Sequence, residues 1–231
     1  MSFQEYKDSF GTYYQFNNIK DETVTIFIHG VGLDNTMWYP QKKFFQTKPV
    51  LFYDLLNHGQ STGGYKQLNF EIFSNQLLNL INELQTEKIN IVGFSIGALI
   101  AQHFTEKFYD KVNKLVLIAS VFNRSKEQIK IVHDRYSQAL NGYSITVDSI
   151  KRWFSGSFIK TNPEVYEFFY NLLEKKNNEI PYSVCYVISL SCLTIHNFHN
   201  EGSSFFLTKR FCSLHTRISF VVPRTQKMTS I

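Results

Sequence analysis

The pentapeptide Gly93-Phe94-Ser95-Ile96-Gly97 is the strongest chemical signal in this chain of 231 residues, because it fits the pattern Gly-x-Ser-x-Gly. It follows an apolar run at 89–93 and precedes a helical pattern, which predicts a sharp turn from strand to helix. In such a turn the strained backbone would lift the Ser95 hydroxyl clear of the sheet. Glycines at positions 93 and 97 would prevent side chains from colliding across the turn. The pattern therefore predicts a serine nucleophile, and the alternative is an ordinary strand–turn–helix connection.

A second glycine-containing loop, Ile28-His29-Gly30-Val31-Gly32, follows another apolar run. The backbone of a His-Gly-x-Gly loop can place an N–H group opposite a nucleophile. The amides of Val31 and Ile96 are then the predicted oxyanion donors, since a helix N-terminus supplies the other unpaired N–H. For His29 we favour a structural histidine that hydrogen-bonds its own loop over a catalytic one.

A third motif, Asp54-x-x-x-His58-Gly59, also stands at the end of a predicted strand. Asp54 and His58 could form an acid–base pair. The interpretation we favour is that Asp54, His58 and Gly59 brace the neighbouring loops by side-chain hydrogen bonds.

Apolar runs alternate with helical patterns around these motifs, which predicts an α/β fold with a mostly parallel sheet and helices on both faces. The strands are expected at 23–28, 49–53, 89–93 and 114–118, buried on both faces. Amphipathic spacing predicts helices at 70–84 and 96–108. An edge strand or hairpin is expected at 10–18.

The chain divides into three segments. Residues 1–120 are the predicted core, and 121–181 have helical patterning rich in aromatic residues. We interpret the second segment as a helical lid over a pocket, the alternative being helix packing alone. Residues 182–231 are atypical, since they hold all three cysteines and a single acid, Glu201. They offer one further predicted strand, at 218–222, so the late strands of the sheet are expected to be incomplete.

The order of these motifs resembles the α/β-hydrolase superfamily. The later stretches Leu115-Val116-Leu117-Ile118-Ala119-Ser120 and Arg152-Trp153-Phe154 resemble its branch of 3-oxoadipate enol-lactonases and small-molecule esterases. The resemblance covers residues 20–170 and implies an eight-stranded sheet, a Ser95 nucleophile, and an oxyanion hole at Val31 and Ile96. Serine at the elbow argues against epoxide opening and dehalogenation, which use aspartate there. The family usually has glycine where this chain has Asn57.

A serine nucleophile needs a general base that is oriented by an acid. The family takes its acid from a loop after a late strand and its histidine from near the C-terminus. Residues 222–227 contain no carboxylate, no histidine follows His215, and Ala119 and Ser120 occupy another position that relatives use for the acid. Two functions are therefore predicted. One is serine hydrolysis of a small ester, lactone or related carbonyl compound, and the other is a catalytically incomplete remnant or binding protein.

The composition limits the other classes of function. The formal net charge is +5, and the excess of basic residues is concentrated after residue 182. No dense basic run is interleaved with aromatics, so nucleic-acid binding is not expected, although a basic interaction module is a third, weaker hypothesis. We find no membrane span, signal peptide or metal-ligand spacing. We therefore expect a cytoplasmic protein that acts on a small molecule without a metal or cofactor.

Overall fold

Seven strands form a single sheet in the computed structural model, which describes residues 3–17, 19, 23–62, 64, 67–120, 125–141, 143–144, 146–177 and 218–221. Their order across the sheet is β1-β2-β4-β3-β5-β6-β7. The strands are β1 (Gln4–Lys7), β2 (Tyr13–Asn17), β3 (Val24–Ile28), β4 (Val50–Tyr53), β5 (Ile89–Phe94), β6 (Val112–Ile118) and β7 (Ile218–Val221).

The central strands β4, β3, β5 and β6 are parallel neighbours, which confirms the predicted sheet type. Their carboxyl ends are in register, because Ile28 pairs with both Tyr53 and Gly93, and Phe94 pairs with Ile118. The loops that follow β3, β4 and β5 therefore emerge side by side at one edge of the sheet. This edge is where open α/β sheets bind their ligands.

The described helices all lie between strands along the chain. The described helices are α1 (Tyr39–Phe44), α2 (Phe70–Glu83), α3 (Ile96–Lys107), α4 (Lys126–Leu140), α5 (Thr146–Trp153), α6 (Gly156–Thr161) and α7 (Pro163–Asn177), with 3-10 turns at Asn35–Trp38 and Tyr109–Lys111. Helix α2 begins where the Asn69 side chain accepts a hydrogen bond from the Ile72 amide. None of the helices in the described residues is long and apolar enough to cross a membrane.

The core lies on both faces of the sheet because side chains along a strand alternate in direction. Ile26 and Ile28 of β3 belong to a large apolar cluster with Phe73 of α2 and Phe104 of α3. Phe27 belongs instead to a smaller cluster with Trp38, Val50 and Phe52 on the opposite face.

Two features of the sheet differ from the expectations, and one further predicted strand is confirmed. Strand β6 begins earlier than expected, at Val112, and it is not buried on both faces. Asn113 and Lys114 are exposed near its start, and the Asn113 side chain donates a hydrogen bond to the side chain of Asn90 on β5. The described sheet has seven strands instead of eight. The predicted strand at 218–222 is β7, which pairs antiparallel with β6. The remainder of 182–231 lies outside the described residues.

The N-terminal segment predicted as an edge strand or hairpin is the second strand of a hairpin. Strands β1 and β2 pair antiparallel, and β2 in turn pairs antiparallel with β4. Every residue of β1 is exposed, so β1 is one edge of the sheet. Its charged and polar side chains at Gln4, Glu5 and Lys7 are of the kind that discourage edge-to-edge association.

Candidate active site

Ser95 is the single residue between β5 and α3, and its backbone is strained. Its backbone dihedral angles are φ 54° and ψ −116°. Residues other than glycine rarely adopt this region, and holding one there costs about 1–3 kcal/mol. The Ser95 amide donates to the Ile118 carbonyl of β6 at 3.0 Å, and the Ser95 carbonyl accepts from Ala98 at 3.0 Å. The strained turn is thus tied to the sheet on one side and to the helix on the other, and Ser95 remains partly exposed.

The two glycines of the pentapeptide permit contacts that no side chain would allow. A Cβ atom on Gly93 would lie 2.4 Å from the Gly97 carbonyl oxygen. A Cβ atom on Gly97 would lie 2.4 Å from the carbonyl oxygen of Ile28 and 2.6 Å from that of His29. The first turn of α3 therefore packs directly against the end of β3.

The loop after β3 lies against the same turn. A Cβ atom on Gly30 would approach the Phe94 ring to 2.8 Å, and Gly32 adopts a φ of 75° that favours glycine. Val31, between them, is partly exposed. Among the described residues, the amides of Val31 and Ile96 have no hydrogen-bond acceptor. The Ile96 amide directly follows Ser95 at the N-terminus of α3, with its positive partial charge, and the Val31 amide belongs to the loop after β3.

His29 is buried and joins two of the strand-end loops. Its Nδ1 atom lies 2.8 Å from the carbonyl oxygen of Gly30, and its Nε2 atom accepts a hydrogen bond from the Leu55 amide at 2.9 Å. Because Nε2 accepts, the ring proton is assigned to Nδ1, which donates to Gly30. The ring is thus a neutral clamp between the loop after β3 and the loop after β4.

Asp54 is buried and receives three N–H groups. One carboxylate oxygen accepts from the amide and the side chain of Asn35, both at 2.7 Å, and the other accepts from the Gln60 amide at 2.8 Å. Burial raises the pKa of Asp54, while the hydrogen bonds from Gln60 and Asn35 oppose that rise. The carboxylate therefore holds together two loops that are distant in sequence.

The rest of the Asp54 turn is shaped around this carboxylate. Gly59 has a φ of 54°, and a Cβ atom there would lie 1.9 Å from the Asp54 carboxylate. Asn57 has a φ of 63°, which explains the glycine of relatives at this position, since asparagine tolerates left-handed backbone better than most residues. The His58 ring is buried, with Nδ1 3.0 Å from the Leu56 carbonyl oxygen.

Two residues that the sequence did not single out complete the bracing of these loops. The Gln76 side chain of α2 donates to the Asp54 carbonyl oxygen at 3.0 Å, and its own oxygen accepts from the Leu56 amide. Asn35 connects Asp54 with Lys42, whose ammonium donates to the Asn35 oxygen at 2.8 Å. No local pattern marks either residue, because their partners lie far away in the chain.

Aromatic side chains of the later helices lie over the elbow. The rings of Phe94 and Trp153 meet edge to face with centroids 6.0 Å apart. Leu33, from the loop after β3, is buried in a cluster with Ile150 of α5 and Phe169 of α7. The elbow and the loop that contains Val31 therefore share an apolar environment with α5 and α7.

The described histidines do not contact the Ser95 hydroxyl through a hydrogen bond. His103 of α3 is bonded to Ser74 of α2 at 2.8 Å, and His133 is exposed on α4. At the alternative position for the acid, Ser120 accepts from Gln102 at 2.6 Å. The late histidines lie outside the described residues. They are His196, His199 and His215.

Comparison with known proteins identifies the family. The family model described as "alpha/beta hydrolase fold" matches residues 24–145, more than half of the chain. The chain is 28% identical over 136 residues to an (E)-2-((N-methylformamido)methylene)succinate hydrolase of Acinetobacter baylyi, covering 58% of the chain and 52% of that protein. It is 24% identical over 148 residues to 3-oxoadipate enol-lactonase 2 of the same organism, covering 64% and 55%.

Solved structures share the fold. A thermophilic esterase from Thermogutta terrifontis matches with a TM-score of 0.69 at 23% identity, covering 80% of the chain and 72% of the esterase. The enol-lactonase from Burkholderia xenovorans LB400 matches with a TM-score of 0.65 at 20% identity, covering 78% and 71%. The chain spans about half the length of the two curated relatives named above. It belongs to the α/β hydrolase family and resembles the enol-lactonase and esterase branch.

Proposed function

We propose that this protein is a serine hydrolase that acts on a small ester, lactone or related carbonyl substrate, with Ser95 as the nucleophile. The observation that carries the proposal is the strained Ser95 backbone at the start of α3, and the amides of Val31 and Ile96, which have no acceptor among the described residues, support it. Strain of this kind persists only where the surrounding contacts enforce it, and it clusters at functional sites.

The chemistry follows from this arrangement. The Ser95 hydroxyl oxygen would attack the substrate carbonyl carbon, while a general base takes the hydroxyl proton. The negative charge on the carbonyl oxygen would be stabilised by the N–H groups of Val31 and Ile96. Collapse of the tetrahedral intermediate would release the leaving group with a proton, and water would then hydrolyse the acyl–serine ester. One oxyanion donor typically contributes a factor of about 10²–10³ to the rate.

We place the acyl pocket between the elbow and the segment 121–181, which we propose as a helical lid on the core of residues 1–120. The contacts of Trp153 with Phe94 and of Ile150 with Leu33 support this placement. Apolar and aromatic walls with few polar groups suit a small, mainly apolar substrate and exclude water from the acyl–enzyme. We propose a small-molecule enzyme of the cytoplasm whose reaction requires no metal or cofactor.

A second candidate function is a protein that keeps the elbow and pocket without turnover. The observation that favours it is the absence of any hydrogen bond between the Ser95 hydroxyl and a side chain of the described residues. His29 and His58 bond to backbone groups of the strand-end loops. His196, His199 and His215 lie outside the described residues, and we assign none of them as the base.

Covalent labelling separates the two functions. Protein shown to be folded by circular dichroism is treated with a fluorophosphonate probe, alongside Ser95→Ala and the exposed-serine control Ser157→Ala. For a working hydrolase we expect labelling of the unaltered protein and of Ser157→Ala, and none of Ser95→Ala. Folded protein that resists labelling and does not cleave p-nitrophenyl acetate would support the binding protein and refute the hydrolase.

A further inference from the structure

A charged cavity lies between α4 and α5. Its volume is about 330 Å³, and it is lined by Arg135, Gln138, Asp148, Lys151 and Arg152. Pockets that hold small molecules commonly begin at about this size. The lining contributes three cationic groups and one carboxylate, so a cavity of this size has a clear excess of positive charge.

The three cations are not neutralised within the described part of the chain. Arg135, Lys151 and Arg152 form no salt bridge with a described carboxylate, whereas Lys130 on α4 pairs with Asp134 at 2.7 Å and Lys107 on α3 pairs with Glu71. The charge of Asp148 attracts that of Arg152 and opposes the lowering of its pKa, but the two side chains do not form a salt bridge. The cavity therefore retains positive charge that a ligand could balance.

Arg152 is held in position at the wall of this cavity. Its guanidinium donates from Nη2 to the hydroxyl of Ser149, a buried residue one turn earlier on α5, at 2.9 Å. Burial lowers the pKa of Arg152, and repulsion from Arg135 lowers it further. Two guanidinium groups are thus close enough to repel each other, one of them partly desolvated. An anion between them would relieve this repulsion.

The cavity is on the side of α5 that faces away from the elbow. Thr146, Ser149 and Ile150 form the buried face of this helix. Asp148, Lys151 and Arg152 lie on the opposite face, as the spacing of 3.6 residues per turn requires. A ligand in the cavity would contact α4 and α5 without touching Ser95.

We propose that the cavity between α4 and α5 is a binding site for a small oxyanion with at least two negative charges. Planar guanidinium groups bind carboxylates and phosphates through paired hydrogen bonds, and Lys151 and Gln138 add further donors. A volume of about 330 Å³ suits a small molecule. Because the ligand would connect α4 to α5, its binding should also raise the melting temperature.

The test measures anion binding directly, so it does not depend on hydrolase activity. Sodium pyrophosphate and sodium citrate are titrated by calorimetry into the full chain at constant ionic strength, with sodium chloride as the reference. The double variant Arg135→Gln/Arg152→Gln is compared with Lys130→Gln/Lys160→Gln, which removes the same charge from residues that do not line the cavity. Ser95→Ala is included to separate this site from the elbow.

We expect saturable binding of at least one anion to the unaltered protein, to Ser95→Ala and to the lysine control. Binding should weaken at least tenfold in the arginine variant. Tighter binding of pyrophosphate would identify a phosphate-bearing ligand, and tighter binding of citrate a carboxylate. The proposal would be overturned if both double variants bound the anions with equally weakened affinity, or if chloride at the same ionic strength displaced them. It would also be overturned if folded protein showed no saturable binding.

Discussion

Replacement of Gly97 by alanine tests the geometry on which the elbow depends. The added Cβ atom would lie 2.4 Å and 2.6 Å from two backbone oxygens of β3 and its loop, so neither neighbour can move aside as a flexible side chain would. Relief requires the first turn of α3 to move away from β3 by roughly 1 Å, and overpacking of this kind costs up to about 3 kcal/mol. The better helix propensity of alanine returns about 1 kcal/mol. We expect a net loss of about 2 kcal/mol.

Gly156 provides the matched control. It is the first residue of α6, and a Cβ atom there would meet nothing within 4 Å. The same Gly→Ala change should therefore leave stability unchanged or raise it by up to about 1 kcal/mol. Urea unfolding followed by circular dichroism measures both variants, and in thermal unfolding Gly97→Ala should lower the melting temperature by about 6 °C for a chain of this size.

The same variant should also impair the proposed chemistry. A shift of α3 moves the Ile96 amide relative to Val31, and misplacement by about 1 Å can cost a factor of about 10² in rate. The fluorophosphonate labelling rate of Gly97→Ala should fall accordingly, while that of Gly156→Ala should not. If the free energies of unfolding of both variants agree with the unaltered protein to within about 0.5 kcal/mol, the inferred contact between α3 and β3 is wrong.

Two further predictions concern polar groups away from Ser95. Asp54→Asn should lower the free energy of unfolding in urea by about 2 kcal/mol, because the new amide nitrogen would face one of the three N–H groups that now donate to the carboxylate. The control Asp110→Asn, at an exposed residue, should change stability little, and equal stability of the two variants would refute the bracing role. Burial lowers the pKa of His103, so the unfolded chain binds more protons and stability should fall as the pH drops below 6.5 toward the folded-state pKa. His103→Gln should reduce this pH dependence, and an unchanged difference in stability between pH 7 and pH 5 would contradict the assignment.

The fold and the position of the elbow followed from local patterns. Local spacing alone predicts the strands, which coincide with apolar runs, and the amphipathic helix α2. It also predicts the turn at the serine between two glycines, because each of these features is a property of a short stretch of sequence. The unusual φ of Ser95 and the close contacts of Gly93 and Gly97 are the physical reasons for that spacing. The triad partners could not be identified in the same way, because they occupy no fixed distance from the nucleophile in the sequence.

Contacts between distant parts of the chain were decided by the tertiary structure. The roles of His29 and Asp54 depend on the Leu55 amide and on Asn35, which strand order brings beside them. The cavity with Arg135 and Arg152 exists only because the fold brings side chains of α4 and α5 to one place. Local sequence determines which turns and helices form, since their hydrogen bonds join near neighbours. The partners of a buried polar group are determined by packing, because water must be replaced by whichever donors the fold brings within reach.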